Sequence, residues 1–265
     1  MRVSWFLPVI LLLALVSCDS LVNSMAFFPD TRTSIPAEKM PSYLREVDIK
    51  TGDNVRLHAY LMQHKGRSKR ILLYFHGNAG NISHRVNDAS KIYRMGCDVL
   101  LVSYRGYGRS EGTPSERGVY EDGISSFKYI TQNLGYKEEG IIIYGRSLGS
   151  AVAVYVAQNR NISHLVLVTP LSSGREYAQA RGFGLLRACA GNAFDSLGRI
   201  NNISCPLLII HGDRDRVIPR DMGLRLYRAY RGEKQFITID GGGHNDLQDA
   251  DPELFWSSIS DLINK

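Results

Sequence analysis

The stretch YGRSLGSAVAVY, residues 144–155, contains the pentad Gly-Arg-Ser-Leu-Gly and so fits the pattern G-x-S-x-G. The pentad alone is a weak signal, because glycine and serine are common, but its surroundings are specific. It follows the apolar run GIIIY (140–144), which predicts a strand, and it opens the apolar run 147–159, which predicts a helix. A serine on this sharp strand–turn–helix connection exposes its hydroxyl beside the helix N-terminus, and the two glycines allow close packing. Ser147 is therefore the candidate nucleophile.

Short apolar runs alternate with amphipathic runs along the rest of the chain, which predicts strands and helices in turn. Eight strands are predicted, the first two as an antiparallel hairpin: 44–50, 55–63, 70–75, 98–104, 140–144, 164–170, 206–212 and 234–240. The predicted helices are 82–96, 115–135, 147–159, 220–230 and 252–264. The sequence therefore predicts an α/β fold, a mostly parallel eight-stranded sheet flanked by helices, in one domain over residues 43–265. Ligands of such sheets bind outside the carboxyl ends of the strands.

A nucleophilic serine requires a base, and the base requires a carboxylate that orients it. Asp215 lies in HGDRDRVIP (211–219), in the loop beyond one predicted strand. His244 lies in GGGHND (241–246), in the loop beyond the next predicted strand. Both loops belong to the same edge of the sheet as Ser147. The sequence therefore predicts a catalytic triad of Ser147, Asp215 and His244.

Neighbouring polar residues leave alternatives open. Asp213 is two residues from Asp215 and is the second candidate for the acid, although a hydrogen bond to loop backbone is the expected role. His211 precedes a glycine at a strand end, which favours a structural role, and Asp246 is expected to fix the loop of His244. The remaining candidate histidines have no such placement and are expected at the surface or in the core: His58, His64, His84 and His164.

The stretch FHGNAGN (75–81) follows the first central strand and is the candidate oxyanion loop. Attack of a serine on a carbonyl creates a negative oxygen, which backbone N–H groups stabilise. The expected donors are the N–H of Leu148, directly after the nucleophile, and the N–H of Asn78. His76 and Gly77 are expected to shape the turn.

Residues 1–18, MRVSWFLPVILLLALVSC, combine a basic residue, an apolar run and a small residue before Cys18. This is the layout of a secretory signal, and it is too short for a comfortable membrane span. The tail LVSC (15–18) resembles a bacterial lipobox, which implies cleavage before Cys18 and lipidation of that residue. We expect residues 19–42 to form a polar tether and the protein to be lipid-anchored at the cell membrane, facing the periplasm or the exterior. The alternative is a plain signal anchor with an incidental cysteine.

The net charge and the cysteine content limit which binding partners and disulfides are expected. A formal net charge of +6 suggests an anionic neighbour such as a membrane or a nucleic acid. The basic residues are scattered, and the dense run 65–70 is expected to be a solvated turn, so no nucleic-acid partner is predicted. If Cys18 is lipidated, Cys97, Cys189 and Cys205 remain, and these three allow at most one disulfide. A bond between Cys189 and Cys205 is one option. Neither a metal nor a cofactor is expected.

Six motifs together resemble the α/β-hydrolase superfamily: YFHGNAGN (74–81), YRGYGRSEGTPSE (104–116), YGRSLGSAVA (144–153), PLSSG (170–174), LLIIHGDRDRVIP (207–219) and GGGHND (241–246). The resemblance covers about residues 43–263. The motifs are most similar to the branch that contains the eukaryotic α/β-hydrolase-domain depalmitoylases and their bacterial relatives. This resemblance implies a serine hydrolase that forms an acyl-enzyme from an ester or thioester, with Ser147, Asp215 and His244 in the family order.

The chain departs from the family pattern in the size of its cap. Many members insert a large helical cap after the sixth strand, whereas residues 171–204 leave room for one or two helices, a small cap at most. A shallow, open site suits acyl chains such as palmitate, or ester groups of larger molecules near a membrane. One alternative is a peptidase of the aminopeptidase kind, which should present acidic residues to the substrate amine. The other is a non-catalytic binding module, which would be expected to lack the serine or the histidine.

Overall fold

The computed structural model describes residues 18–32, 40–66 and 68–264. Its strands are β1 (Phe28–Pro29), β2 (Leu44–Lys50), β3 (Arg56–Met62), β4 (Ile71–Phe75), β5 (Ala79–Gly80), β6 (Asp98–Val102), β7 (Ile141–Arg146), β8 (His164–Val168), β9 (Leu207–Gly212) and β10 (Lys234–Ile239). Its α-helices are α1 (Cys18–Ala26), α2 (Val86–Arg94), α3 (Glu116–Lys128), α4 (Leu148–Ala157), α5 (Gly174–Ala180), α6 (Gly184–Ala190), α7 (Ser196–Arg199), α8 (Arg220–Ala229), α9 (Leu247–Ala250) and α10 (Pro252–Asn264).

One eight-stranded sheet has the order β10–β9–β8–β7–β4–β6–β3–β2. Strand β3 is antiparallel to both of its neighbours, β2 and β6, and every other pair of neighbours is parallel. The predicted α/β fold is confirmed, and each of the eight predicted strands is present. Because β7, β9 and β10 are parallel, the loops that follow them leave the same edge of the sheet.

The core consists of two apolar layers, one on each face of the sheet. Leu73 and Ile143 belong to the layer that α3 and α4 cover, whereas Leu72 and Ile142 belong to the layer that α2 and α10 cover. All four side chains are fully buried. Strands that are buried on both faces have continuous apolar sequences rather than alternating ones. This explains why the central strands are recognisable in the sequence as short apolar runs.

The connection from β7 to α4 depends on two glycines. A Cβ on Gly145 would lie 2.6 Å from the Cβ of Ala153 in α4. A Cβ on Gly149 would overlap the backbone oxygens of Phe75 and His76 at the end of β4. The helix therefore packs against the sheet closely enough that no larger residue fits at either position.

The segment before the main sheet, predicted as a tether, begins with regular structure that is packed on the domain. Strand β1 pairs in parallel with β5, so that Phe28 faces Ala79. Phe27 is buried and packs edge-on against Phe194, with ring centroids 6.0 Å apart. The predicted signal segment up to residue 17 and residues 33–39 lie outside the described residues. Within the described residues no helix has the length and apolarity that a membrane span requires.

Three short helices, α5, α6 and α7, occupy the segment between β8 and β9. The sequence analysis predicted one or two helices there. The additional helix, α7, begins where the Asp195 carboxylate accepts a hydrogen bond from the N–H of Gly198 at 2.8 Å. The cap is small, as the length of the segment predicts.

The sequence analysis considered a disulfide between Cys189 and Cys205. That possibility is wrong, because all four cysteines are free. Cys205 is buried directly before β9, where burial raises the pKa of its thiol to about 12, whereas Cys189 lies in α6 of the cap. The neighbour of Cys189 is Cys18, the exposed first residue of α1, with the two Sγ atoms 2.6 Å apart. Cys97 is buried.

Candidate active site

Ser147 occupies the turn between β7 and α4 in a strained backbone conformation. Its φ is +54° and its ψ is −124°, a combination that a residue other than glycine adopts only when its surroundings impose it. The N–H of Ser147 donates to the carbonyl oxygen of Val168 at 2.9 Å, which ties the turn to the end of β8. The turn has the geometry expected of a nucleophile elbow, with the serine hydroxyl beside the start of α4.

His244 lies between Ser147 and Asp215. Its Nε2 is 3.0 Å from the Oγ of Ser147, and its Nδ1 is 2.8 Å from the Oδ2 of Asp215. The carboxylate only accepts hydrogen bonds, so the proton of the neutral ring belongs on Nδ1, which leaves Nε2 to accept from the serine. The structure thus brings the three residues predicted as a triad into one chain of hydrogen bonds.

Asp215 is buried and its carboxylate is fully engaged. The Oδ1 atom accepts from the backbone N–H groups of Val217 and Ile218, each at 2.8 Å. Burial by itself would raise the pKa of this carboxyl, but hydrogen bonds from His211, His244 and the backbone hold it well below its usual range. The residue therefore carries a negative charge beside the imidazole across the ordinary range of pH.

Asp213, the alternative acid, points elsewhere. Its Oδ1 accepts from the N–H of Gly241 at 2.7 Å, and the residue is exposed. Asp246 accepts from the N–H of Gly243 at 2.6 Å and so braces the loop that carries His244. His211 is fully buried, and its Nε2 is 2.9 Å from the carbonyl oxygen of Ile218 and 3.4 Å from the Oδ2 of Asp215, so one N–H is shared between these two acceptors. These residues support the loops on either side of the triad.

The four other histidines lie on different elements. His58 is buried in β3, and His64 is half-buried with its Nδ1 2.6 Å from the Oδ1 of Asp98. His84 is exposed in the turn before α2, and His164 is half-buried at the first position of β8.

Asn78 and Leu148 both line the cavity into which Ser147 opens. Among the described residues neither backbone N–H has a hydrogen-bond partner; Leu148 is the first residue of α4, where intrahelical acceptors are absent. The loop that carries Asn78 runs directly beside the nucleophile, since a Cβ on Gly77 would lie 3.4 Å from the Cβ of Ser147. Two free donors near the serine hydroxyl are what stabilisation of an oxyanion requires.

Two tyrosines hold this loop, and the sequence analysis assigned them no role. The hydroxyl of Tyr104 donates to the carbonyl oxygen of His76 at 3.0 Å, and the hydroxyl of Tyr107 donates to that of Asn78 at 2.6 Å. Both tyrosines belong to the motif YRGYGRSEGTPSE (104–116), which resembles the α/β-hydrolase superfamily. This motif is the sequence signal that could have placed Tyr104 and Tyr107 near Ser147.

Arg146 is a third residue that the sequence analysis missed. It is the variable residue before Ser147, and its side chain is buried. Its Nη2 donates to the carbonyl oxygen of His244 at 3.1 Å. The turn that carries Ser147 therefore also supports the backbone of His244. Nothing in the sequence indicates this contact, because the partners are 98 residues apart.

His76 is fully buried beneath the oxyanion loop. Its Nδ1 donates to the carbonyl oxygen of Gly77 at 2.7 Å, and among the described residues its Nε2 has no partner. Burial lowers the pKa of this imidazole from 6.5 to about 3. His76 is therefore neutral in the folded protein.

This burial predicts a dependence of stability on pH. Below pH 6.5 the unfolded chain protonates His76 while the folded chain does not, until the pH reaches about 3. Above pH 6.5 His76 is neutral in both states and does not make the free energy of unfolding depend on pH. As the pH falls from 6.5 towards 3, protonation of the unfolded chain lowers the free energy of unfolding by about 1.4 kcal/mol per pH unit. In the variant His76→Gln, the slope of unfolding free energy against pH should flatten by about this amount between roughly pH 4 and 6. Urea unfolding across this range measures it, with equal slopes above pH 7 as the internal control; equal slopes at acid pH would contradict the prediction.

Ser147 opens into an apolar cavity of about 290 Å³. Its lining includes Leu171, Tyr177, Phe194 and Ile218, and its polar atoms come from few residues, Ser147 among them. Small-molecule sites commonly combine an apolar lining with a few directed polar groups. Within residues 18–32, 40–66 and 68–264, no cluster of histidine, cysteine, aspartate and glutamate is arranged to hold a metal ion.

Comparison with known proteins identifies the family of this chain. The profile of a family described as alpha/beta hydrolase fold matches residues 70–188. An uncharacterized protein of Mycobacterium tuberculosis is 31% identical over 267 residues, which cover 98% of this chain and 95% of that protein. The chain belongs to the alpha/beta hydrolase family.

Further similarities within this family concern the branch and the fold. The human alpha/beta hydrolase domain-containing protein 17B is 29% identical over 204 residues, or 75% of this chain and 68% of the relative. An esterase of Pyrococcus furiosus superposes with a TM-score of 0.72, covering 90% of this chain and 97% of that one. At 20% identity this likeness bears on the fold alone. The predicted branch, that of the alpha/beta hydrolase domain-containing proteins, is confirmed, and family and fold together support a hydrolase.

Proposed function

We propose that the protein is a serine hydrolase that cleaves carboxylic ester or thioester bonds through Ser147, Asp215 and His244. The observation that carries the proposal is the unbroken hydrogen-bond chain from the Asp215 carboxylate through His244 to the Ser147 hydroxyl, with distances of 2.8 and 3.0 Å. A serine hydroxyl becomes a useful nucleophile when a base of this kind removes its proton, and the base works when a carboxylate orients it.

The reaction follows from these contacts. The Oγ of Ser147 attacks the carbonyl carbon while Nε2 of His244 takes the hydroxyl proton, and Asp215 stabilises the imidazolium that forms. The N–H groups of Leu148 and Asn78 donate to the oxyanion. His244 then returns the proton to the leaving alcohol or thiol, which departs as the acyl-enzyme forms. A water molecule, deprotonated by His244, then attacks the acyl-enzyme, and His244 returns that proton to the Oγ of Ser147 as the carboxylic acid is released.

The cavity supports an acyl substrate over a peptide. An aminopeptidase should present carboxylates to the positive amine of its substrate, yet no aspartate or glutamate is among the described residues that line the cavity. Burial of an ammonium group in an apolar cavity without a counter-charge is costly, whereas burial of an alkyl chain is favourable. This contrast favours an ester or thioester of a fatty acid, of which palmitate is an example. The complete triad argues against a non-catalytic binding module.

We further propose that Cys18 carries a lipid anchor that holds the protein at the cell membrane. The lipobox-like sequence before Cys18 supports this, as does the exposed position of Cys18 at the start of α1. Met25, which lines the cavity, follows seven residues later, about 10 Å along a helix. An anchor at this position would therefore keep the catalytic cavity close to the membrane surface, where acylated substrates reside.

Labelling with a fluorophosphonate probe tests the nucleophile. The full chain is labelled, digested and mapped by mass spectrometry, and the adduct is expected on Ser147. In parallel, hydrolysis of p-nitrophenyl esters, acyl thioesters and aminoacyl p-nitroanilides distinguishes the bond types, and the esters or thioesters are expected to react fastest. Preference for the anilides would favour the peptidase. Absence of both labelling and turnover in folded protein would favour the binding module.

A further inference from the structure

The segment from Cys18 to Asp30 is bound to the domain at the oxyanion loop. The N–H of Phe28 donates to the carbonyl oxygen of Asn78 at 2.9 Å, and the N–H of Asp30 donates to that of Gly80 at 3.2 Å. Asn81, further along the loop, donates from its Nδ2 back to the carbonyl oxygen of Asp30 at 3.0 Å. The segment is thus part of the structure that holds the catalytic loop, rather than a linker to it.

One face of this segment forms a wall of the catalytic cavity. Val22, Met25 and Ala26 of α1 line the cavity together with Phe28 of β1 and Ser147. Positions 22, 25 and 26 are spaced by three and four residues, so they share one side of the helix. The wall is therefore apolar along its length.

The cap supplies further apolar lining of the cavity. Tyr177 and Ala178 of α5, Phe183 of the turn after it and Ala190 of α6 contribute to the lining. No charged side chain is among the described residues that line the cavity. Ser147 lines the same cavity, so a molecule that reaches this serine contacts apolar residues of α1, β1 and the cap.

Exposed apolar side chains are concentrated around this cavity. Among the side chains that the structure describes, five large hydrophobic ones are exposed, and four of them line it. Their exposed fractions are 40% for Met25, 54% for Phe28, 38% for Phe183 and 39% for Val217. Contiguous apolar surface of this kind marks a binding site.

We infer that Val22, Met25, Ala26 and Phe28 form part of an acyl-chain binding site, in which the chain contacts α1, β1 and the cap and its carbonyl carbon meets Ser147. The inference rests on the proposed function for the position of the carbonyl, and it adds the subsite that selects chain length. Its occupant is an alkyl chain, because the described lining offers apolar contact and no charge. Met25 and Phe28 are the residues that set selectivity.

Substitution at the wall tests the inference through the ratio of kcat/KM for a dodecanoyl and a butanoyl p-nitrophenyl ester. The variant Met25→Trp fills the space beside α1 and should lower this ratio about tenfold, because the dodecanoyl ester loses more of its kcat/KM than the butanoyl ester does. The variant Phe28→Ala removes apolar contact while it keeps the backbone N–H that binds Asn78, and should lower the ratio less. The matched control is Leu254→Trp, which alters an exposed hydrophobic residue of α10 outside the cavity and should leave the ratio unchanged.

A second measurement separates this inference from the proposed function because it needs no turnover. The full chain is irradiated with a diazirine analogue of palmitic acid, with and without excess palmitate, and the adducts are mapped. Adducts on residues 22–28 that palmitate suppresses would support the site even in a protein that hydrolyses no ester, in which case the proposed function alone fails. An unchanged ratio in an active Met25→Trp variant, or adducts that avoid residues 22–28, would overturn the inference.

Discussion

Replacement of Ser147 by alanine is expected to lower kcat/KM for an ester substrate by a factor on the order of 10⁴ to 10⁶, and to abolish fluorophosphonate labelling. A large loss is expected because, in the proposed mechanism, the Oγ atom forms the covalent bond to the acyl group and no other group of the site replaces it. The N–H groups of Leu148 and Asn78 remain in the variant, so a small residual acceleration is expected. Steady-state hydrolysis and probe labelling of wild type and variant provide the measurement.

Ser150 provides the matched control for this experiment. It lies three residues further on in α4 and is fully buried, and its Oγ accepts a hydrogen bond from the N–H of Leu171 at 3.0 Å. The variant Ser150→Ala should lose about 1 kcal/mol of stability and retain its labelling. Labelling that survives in Ser147→Ala but disappears in Ser150→Ala would show that Ser147 is not the nucleophile.

The fold was predictable because its determinants are local in the sequence. The central strands are buried on both faces, which requires uninterrupted apolar runs such as those that contain Leu73 and Ile143. The helix after β6 starts where predicted, since the Ser115 side chain accepts from the N–H of Gly118 at 3.1 Å. Patterns of this kind involve residues that are close in the chain.

The candidate triad was predictable for a topological reason. Parallel strands place their following loops at one edge of the sheet, so Ser147, Asp215 and His244 were expected together although they are far apart in the chain. Position at a strand end could not distinguish Asp215 from Asp213, because both follow β9. The backbone donors on Asp215 and the distance to His244 make the distinction, and these appear only in three dimensions.

The N-terminal wall of the cavity was not predictable from the sequence. Residues 19–42 are polar and contain prolines, a composition that is typical of a linker. Helix α1 has nine residues, too few to be stable alone, so it depends on packing against the domain. The contact between Phe28 and Asn78 joins residues 50 apart, and no local pattern specifies it. The roles of Tyr107 and Arg146 were not predicted for the same reason, because each also contacts a residue that is distant in the chain.

Replacement of Asp215 by asparagine is expected to lower kcat/KM by a factor on the order of 10⁴, whereas Asp213→Asn should stay within a few-fold of wild type. An amide at position 215 can present its NH₂ group to His244, which then protonates on Nε2 and no longer accepts from Ser147; the charge that stabilises the imidazolium is also lost. At position 213 an amide oxygen still accepts from the N–H of Gly241. Fluorophosphonate labelling of Asp215→Asn should be slow rather than absent, because its nucleophile is intact. A larger loss in Asp213→Asn than in Asp215→Asn would make Asp213 the acid, the alternative that the sequence left open.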